Sequence, residues 1–227
     1  MLSSLIQAQP ERYERAKNQL RRLLPLSGPT VASITGQLSS LHQRYLEDYV
    51  FIHIPKCGGT SVERALGIPF VNHDTALERR RKLGPSVWDR RYKFSVVRHP
   101  YDRIVSLFFY WWKLDHLDVD LINAELPAWL EETEARLARG KAHIHLQSQW
   151  WWLTDEDGRF ILDDLLRLES IAGDFERVNQ HLGRNLVLPH VKKNAFKIDY
   201  RNLLDDATRE RIRRIHHEDF EHLGYEK

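Results

Sequence analysis

The stretch Pro55-Lys56-Cys57-Gly58-Gly59-Thr60-Ser61 gathers residue types that suit an anion. It follows Tyr49 to Ile54, a β-branched and aromatic run that reads as a buried strand. A loop between a strand and a helix N-terminus turns free backbone N–H groups outward, and the helix dipole favours negative charge there. Gly58 and Gly59 permit positive φ and close approach of the backbone to a phosphate. Lys56 adds a point charge, and Thr60 and Ser61 add hydroxyl donors that can also cap a helix from Ser61 to Leu66. The lysine precedes the glycines. The usual triphosphate loop, G-x-x-x-x-G-K-[ST], has it after them, and no such match exists in the chain. Gly-Gly alone would read as a tight turn. Strand, Pro-Lys and Thr-Ser in one stretch favour the anion site.

A second cluster begins where the run Tyr92 to Val97 ends in Arg98. Phosphoryl transferases of the P-loop type place a metal-holding aspartate after a comparable strand. Arginine there suits a phosphate and repels a metal ion. Pro100 fits the first turn of the next helix. Ser106, about two turns along it, carries a hydroxyl that can reach back toward the same anion. Asp102 and Arg103 read as braces of the helix end, and Val105, Leu107, Phe108 and Phe109 as core. Taken alone, Arg98 would read as a surface ion pair.

Alternating strands and helices must hold these clusters. Strands are expected at 49–54, at Ile68 to Val71, at Tyr92 to Val97 and at Leu165 to Leu168. Helices are expected at Ala76 to Leu83, Tyr101 to His116, Pro127 to Ala138, Ser170 to Leu182 with Gly183 closing it, and Asp206 to Phe220. Strands alternating with helices imply parallel βαβ units in a three-layer α/β domain, with a central parallel sheet flanked by helices. Residues 1–48 read as an N-terminal helical extension, with helical spacing from Pro10 to Leu24 and from Gln37 to Tyr49, and 49–227 as the domain proper.

The chain's 227 residues suffice for one such domain. Its 34 basic and 32 acidic residues give a net charge of +2, so an anion site must be a local arrangement rather than a global field, and nucleic acid is not an expected partner. Cys57 is the one cysteine, which excludes an internal disulfide. No apolar run is long enough for a signal peptide or a membrane span. The expectation is a cytoplasmic protein.

Together the two clusters resemble the sulfotransferases that use 3′-phosphoadenosine 5′-phosphosulfate (PAPS), above all the carbohydrate-modifying branch with the heparan and chondroitin sulfate enzymes. Phe51 to Ser61 looks like that family's 5′-phosphosulfate loop, and Phe94 to Ser106 like its 3′-phosphate element, in the same order and strand contexts. A weaker likeness runs through Leu168-Glu169 and Phe175 to Leu188-Pro189-His190-Val191-Lys192-Lys193, so that it covers about 49–225. The resemblance implies a P-loop-like fold and PAPS as co-substrate without a metal. It implies that Lys56 contacts the 5′-phosphate and bridging oxygen, that 55–61 cradle the phosphosulfate, that Arg98 and Ser106 bind the 3′-phosphate, and that Lys192 and Lys193 lie where the family often closes over the nucleotide.

The family takes the acceptor's proton with a histidine or glutamate downstream of the first loop. His73 is the first choice here, since imidazole suits proton transfer near neutrality; a capping or surface histidine is the alternative. Glu63 stands in reserve, and His53 reads as packed. His216-His217 and His143-x-His145 have weak metal-like spacing and read as non-ligands. Trp111-Trp112 and Trp150-Trp151-Trp152 can stack on sugar rings, with Gln147 and Gln149 bonding hydroxyls, although core packing accounts for most of these rings. The basic run Arg79-Arg80-Arg81-Lys82 can attract an acidic glycan or form a solvated helix face. A non-catalytic nucleotide-binding protein and a P-loop phosphotransferase are the competing readings. The intact Lys56 speaks against the first, and the missing loop pattern and aspartate against the second.

Overall fold

A computed structural model describes residues 44, 47–68, 73–114, 118–189 and 203–226. The protein is α/β, built on a three-stranded parallel sheet in the order β1 (Tyr49–Ile52), β2 (Tyr92–Val97), β3 (Asp164–Arg167). In the register, Tyr49 faces Tyr92, Ile52 faces Ser95, Phe94 faces Asp164 and Val97 faces Arg167.

The strand residues alternate between two cores, as the period of two requires. Tyr49 and Phe51 of β1 join Tyr92, Phe94 and Val96 of β2 and Leu166 of β3. Helices α1 (Gly59–Leu66) and α7 (Ile171–Leu182) close that face with Val62, Leu66, Phe175 and Val178. Val50, Ile52 and Val97 point the other way, into a larger core. Helix α2 (Ala76–Leu83), the short α3 (Pro85–Trp88), α4 (Pro100–Trp111), α5 (Val119–Ala138), α6 (Gln149–Leu153), α8 (Asp206–Ile215) and α9 (His217–His222) supply most of its other side chains, and connecting segments add the rest, among them Ile54, Leu162 and Tyr225. With both faces covered, β1 can be apolar along its whole length, and the two polar side chains of the equally buried β2 are paired: Lys93 Nζ lies 2.8 Å from Asp163 Oδ2, and Ser95 Oγ donates to the Ile52 carbonyl at 2.7 Å. Each aliphatic or aromatic side chain so buried contributes about 1.5–3 kcal/mol. No helix among the described residues is long and apolar enough to cross a membrane.

Several boundaries differ from expectation. The first strand ends at Ile52, and His53 and Ile54 already belong to the loop. Ile68 is not in a strand, and the rest of that expected strand lies outside the described residues. Helix α4 stops at Trp111 rather than near His116. Helix α5 starts at Val119, eight residues before Pro127, which lies inside it. An interior proline costs roughly 3 kcal/mol. Burial of Ile122, Leu126 and Leu130 at four-residue spacing, with Asp118 capping the N–H of Leu121 at 2.9 Å, offsets that cost. The last expected helix is two, broken at His216. Gly183 does end α7, in the left-handed conformation its φ of 60° records. Most of the expected N-terminal extension, 1–43 and 45–46, lies outside the described residues.

Candidate functional site

The loop after β1 and the residue after β2 leave the sheet at the same edge, because the strands are parallel neighbours. Crevices outside the carboxyl ends of parallel strands are where α/β proteins bind ligands. Lys56 holds a left-handed backbone, φ 70°, which costs a lysine of the order of 1–2 kcal/mol. Three groups keep the loop in this shape. Arg98 Nη1 donates to the Lys56 carbonyl at 3.4 Å, Arg103 Nε to the Pro55 carbonyl at 3.3 Å, and Cys57 N–H to the Ile54 carbonyl at 3.4 Å. The Lys56 ammonium lies over the Tyr110 ring, 4.9 Å from its centroid.

Gly58, φ 80°, is the N-cap of α1, and no side chain caps that end. Thr60 and Ser61 lie within the first turn instead of capping it, because the helix starts at Gly59. The first N–H groups of α1 thus have no side-chain cap, and the positive end of the helix dipole lies in the loop that follows β1. Both glycines are also forced by packing. A Cβ on Gly58 would lie 2.5 Å from Leu168 Cδ1, and one on Gly59 2.3 Å from His53 Cδ2.

His53 is buried, as expected of a packed residue, and its Nδ1 is 2.8 Å from Glu63 Oε1. Glu63, the reserve base, is itself buried and spends that oxygen on His53. His73 Nδ1 lies 3.0 Å from the His53 carbonyl oxygen. A carbonyl only accepts, so Nδ1 carries the proton and Nε2 keeps its lone pair. Burial, then the neighbouring His53, lowers the His73 pKa, which favours the neutral ring. His145 packs edge-on against His73 at 5.4 Å, and burial together with His73 and His143 pushes its pKa down to about 3.

Beneath the crevice is a hydrogen-bonded hub. Gln149, fully buried, accepts from the Arg98 N–H at 2.8 Å and from Cys57 Sγ at 3.1 Å, and donates to the Arg98 carbonyl at 2.8 Å and to Asp219 Oδ2 at 3.1 Å. Its side chain therefore fixes the main chain of Arg98 and is not available to a sugar hydroxyl. Asp219 also accepts from the Trp150 N–H at 2.9 Å. Burial raises the Asp219 pKa, with Arg103 opposing. Arg103 is fully buried too, and its other nitrogens donate to the carbonyls of Gln147 at 3.0 Å and His145 at 2.8 Å. It ties the Pro55 loop to the segment before α6, whereas the sequence predicts a brace of its own helix end. Burial pushes the Cys57 thiol up to about 12, so it is an inert packing group. Glu169, after β3, accepts from the His99 N–H at 2.7 Å and from the Tyr225 hydroxyl at 3.2 Å, which holds the start of α4 against the third strand end.

The structure thus brings Pro55–Ser61, Arg98 and His73 around one edge of the sheet. Ser106 is buried on α4. Lys192 and Lys193 lie outside the described residues. In the basic run, Arg79 Nη2 and Lys82 Nζ sit 3.3 Å and 2.6 Å from the Asp74 carboxylate, so two of its four charges are paired. His216 is buried and its pKa is lowered to about 3 by burial, which suits a packed histidine. Among the described residues no group of three or more His, Cys, Asp or Glu is arranged to hold a metal ion. A separate depression of about 260 Å³ beside Trp150 and Trp151 is walled by Asp155, Glu156 and Glu218, a charge that opposes an anionic nucleotide. Sequence reasoning missed the anchoring roles of Gln149, Arg103 and Glu169, and no local signal marks them. No protein-family model, curated protein or solved structure matches the chain.

Proposed function

We propose that this chain transfers a sulfuryl group from PAPS to a hydroxyl of a carbohydrate, on a P-loop-like core. The observation that carries the reading is that Lys56 and Arg98, one cation each, follow two adjacent parallel strands. The guanidinium of Arg98 reaches the carbonyl of Lys56 at 3.4 Å. A donor phosphorylated at both its 3′ and 5′ positions needs two such separated positive centres, and a single anion loop would serve a monophosphate.

In this reading the loop N–H groups and Lys56 take the 5′-phosphosulfate, and Arg98 takes the 3′-phosphate. The acceptor oxygen attacks sulfur. A new S–O bond forms as the bond from sulfur to the bridging phosphate oxygen breaks. The electron pair stays on that oxygen, beside the Lys56 ammonium and the open end of α1. The acceptor proton passes to Nε2 of His73, whose lone pair is kept free by the Nδ1 bond to the His53 carbonyl. The products are adenosine 3′,5′-bisphosphate and a sulfate ester. The rigidity of the surroundings supports the reading, since a loose transition state is served chiefly by positioning and charge. Arg98 and Pro55 are held by Gln149 and Arg103, both fully buried.

Calorimetric titration with adenosine 3′,5′-bisphosphate and then with adenosine 5′-phosphate tests this. The bisphosphate should bind at least tenfold more tightly, and Arg98→Ala should erase the difference. Lys56→Ala should abolish transfer of labelled sulfate from PAPS to a glycan. Equal affinities for the two nucleotides in the parent protein would refute the reading.

A further inference from the structure

Beside Lys56 the rings form a continuous arc. Tyr110, on the last turn of α4, carries the Lys56 ammonium 4.9 Å above its centroid and is 56% exposed. Trp111 meets it edge-on at 6.1 Å, and Trp111 meets His145 at 6.1 Å. His145 in turn meets His73 at 5.4 Å. The arc therefore begins at the lysine that takes the leaving phosphate and ends at the base. Tyr101, Ile104, Val105, Leu107 and Phe108 of the same helix are buried, yet it closes on exposed rings, Tyr110 and the adjoining Trp112, 43% exposed. Exposed aromatic surface next to polar reacting groups is the make-up of a ligand site.

We infer that Tyr110, flanked by Trp111, is the platform on which a pyranose ring of the acceptor lies, with the hydroxyl to be modified turned toward His73. This rests on the sulfuryl-transfer reading. A sugar suits the place better than a phenol. A pyranose has one face of C–H groups to set on the negative face of an aromatic ring, while its remaining hydroxyls stay in water. A phenol gains most when enclosed on both faces, and Tyr110 and Trp112 are open to solvent.

Binding can be read without turnover. The full chain, with and without adenosine 3′,5′-bisphosphate, is titrated with neutral, aminated and uronate-bearing hexasaccharides and with 2-naphthol, and followed by tryptophan fluorescence and saturation-transfer NMR. At least one hexasaccharide should bind. Tyr110→Ala should weaken it about tenfold, equivalent to about 1.4 kcal/mol, and Tyr110→Phe by less than about threefold. Absence of hexasaccharide binding, a binder indifferent to Tyr110→Ala, or binding of 2-naphthol alone would overturn the platform. Loss of bisphosphate binding in the same protein would strike the proposed reaction, and the saccharide arm would still decide the platform.

Discussion

Replacing Gln149 by leucine removes the most connected side chain of the hub while keeping its bulk. Four groups lose a partner: the N–H and the carbonyl of Arg98, Oδ2 of Asp219, and the Cys57 thiol, a weak donor that keeps the Pro55 carbonyl at 3.7 Å. A buried polar group left without a partner costs about 1–3 kcal/mol. Asp219 is fully buried and keeps the Trp150 N–H, while the partly exposed Arg98 can recover some hydration. The total should be roughly 3–5 kcal/mol, a large share of the 5–15 kcal/mol typical of a domain. With a urea dependence of roughly 2–3 kcal/mol per molar, the unfolding midpoint should fall by about 1–2.5 M. Gln149→Glu should behave similarly, because its second oxygen would face the Arg98 carbonyl and the Asp219 carboxylate. Burial already raises the Asp219 pKa, and loss of the Gln149 donor raises it further. The deficit of Gln149→Leu should therefore grow as pH rises from 4 to 7 and shrink on acidification. Since Gln149 also fixes the main chain of Arg98, bisphosphate affinity at low urea should drop at least tenfold. A midpoint within about 0.3 M of the parent would refute the energetic reasoning. A lowered midpoint with unchanged nucleotide affinity would refute the link from hub to site.

Gly59→Ala would drive a Cβ to 2.3 Å from His53, whose ring is held by Glu63 at 2.8 Å, so the ring must leave its partner. The expected loss is about 2–3 kcal/mol, or roughly 4–12 °C in Tm for a chain of this size. In a His53→Ala background the same change should cost under about 1 kcal/mol, and an equal loss in both backgrounds would exclude the clash. In the proposed mechanism the neutral ring of His73 is the base, and its pKa lies below the usual 6.5. Turnover should therefore be flat above pH 6.5 and fall on acidification with a midpoint below it. His73→Ala should remove that limb and spare bisphosphate affinity; a limb that survives the substitution would exclude His73 as the base.

The sequence by itself determined the pieces whose physics is local. The β-branched and aromatic runs at 49–54 and 92–97 specify buried strands, of which the first stops two residues earlier than read, Gly58-Gly59 specifies a turn with positive φ, and Arg98 directly follows its strand. Each depends on neighbours a few residues away, so each was legible. Tertiary structure decided the rest. Gln149 meets Cys57 across 92 residues and Arg98 across 51, and Arg103 meets Pro55 across 48. A buried amide or guanidinium goes where unsatisfied carbonyls and N–H groups converge, and that convergence exists only once the helices have docked on the sheet. Pro127 shows the same limit from the other side: read locally it starts a helix, yet packing of Ile122, Leu126 and Leu130 carries the helix through it. So too with Tyr110, ordinary in sequence as the eleventh of twelve apolar-rich helical residues, and distinguished only by the lysine that folding sets over its ring.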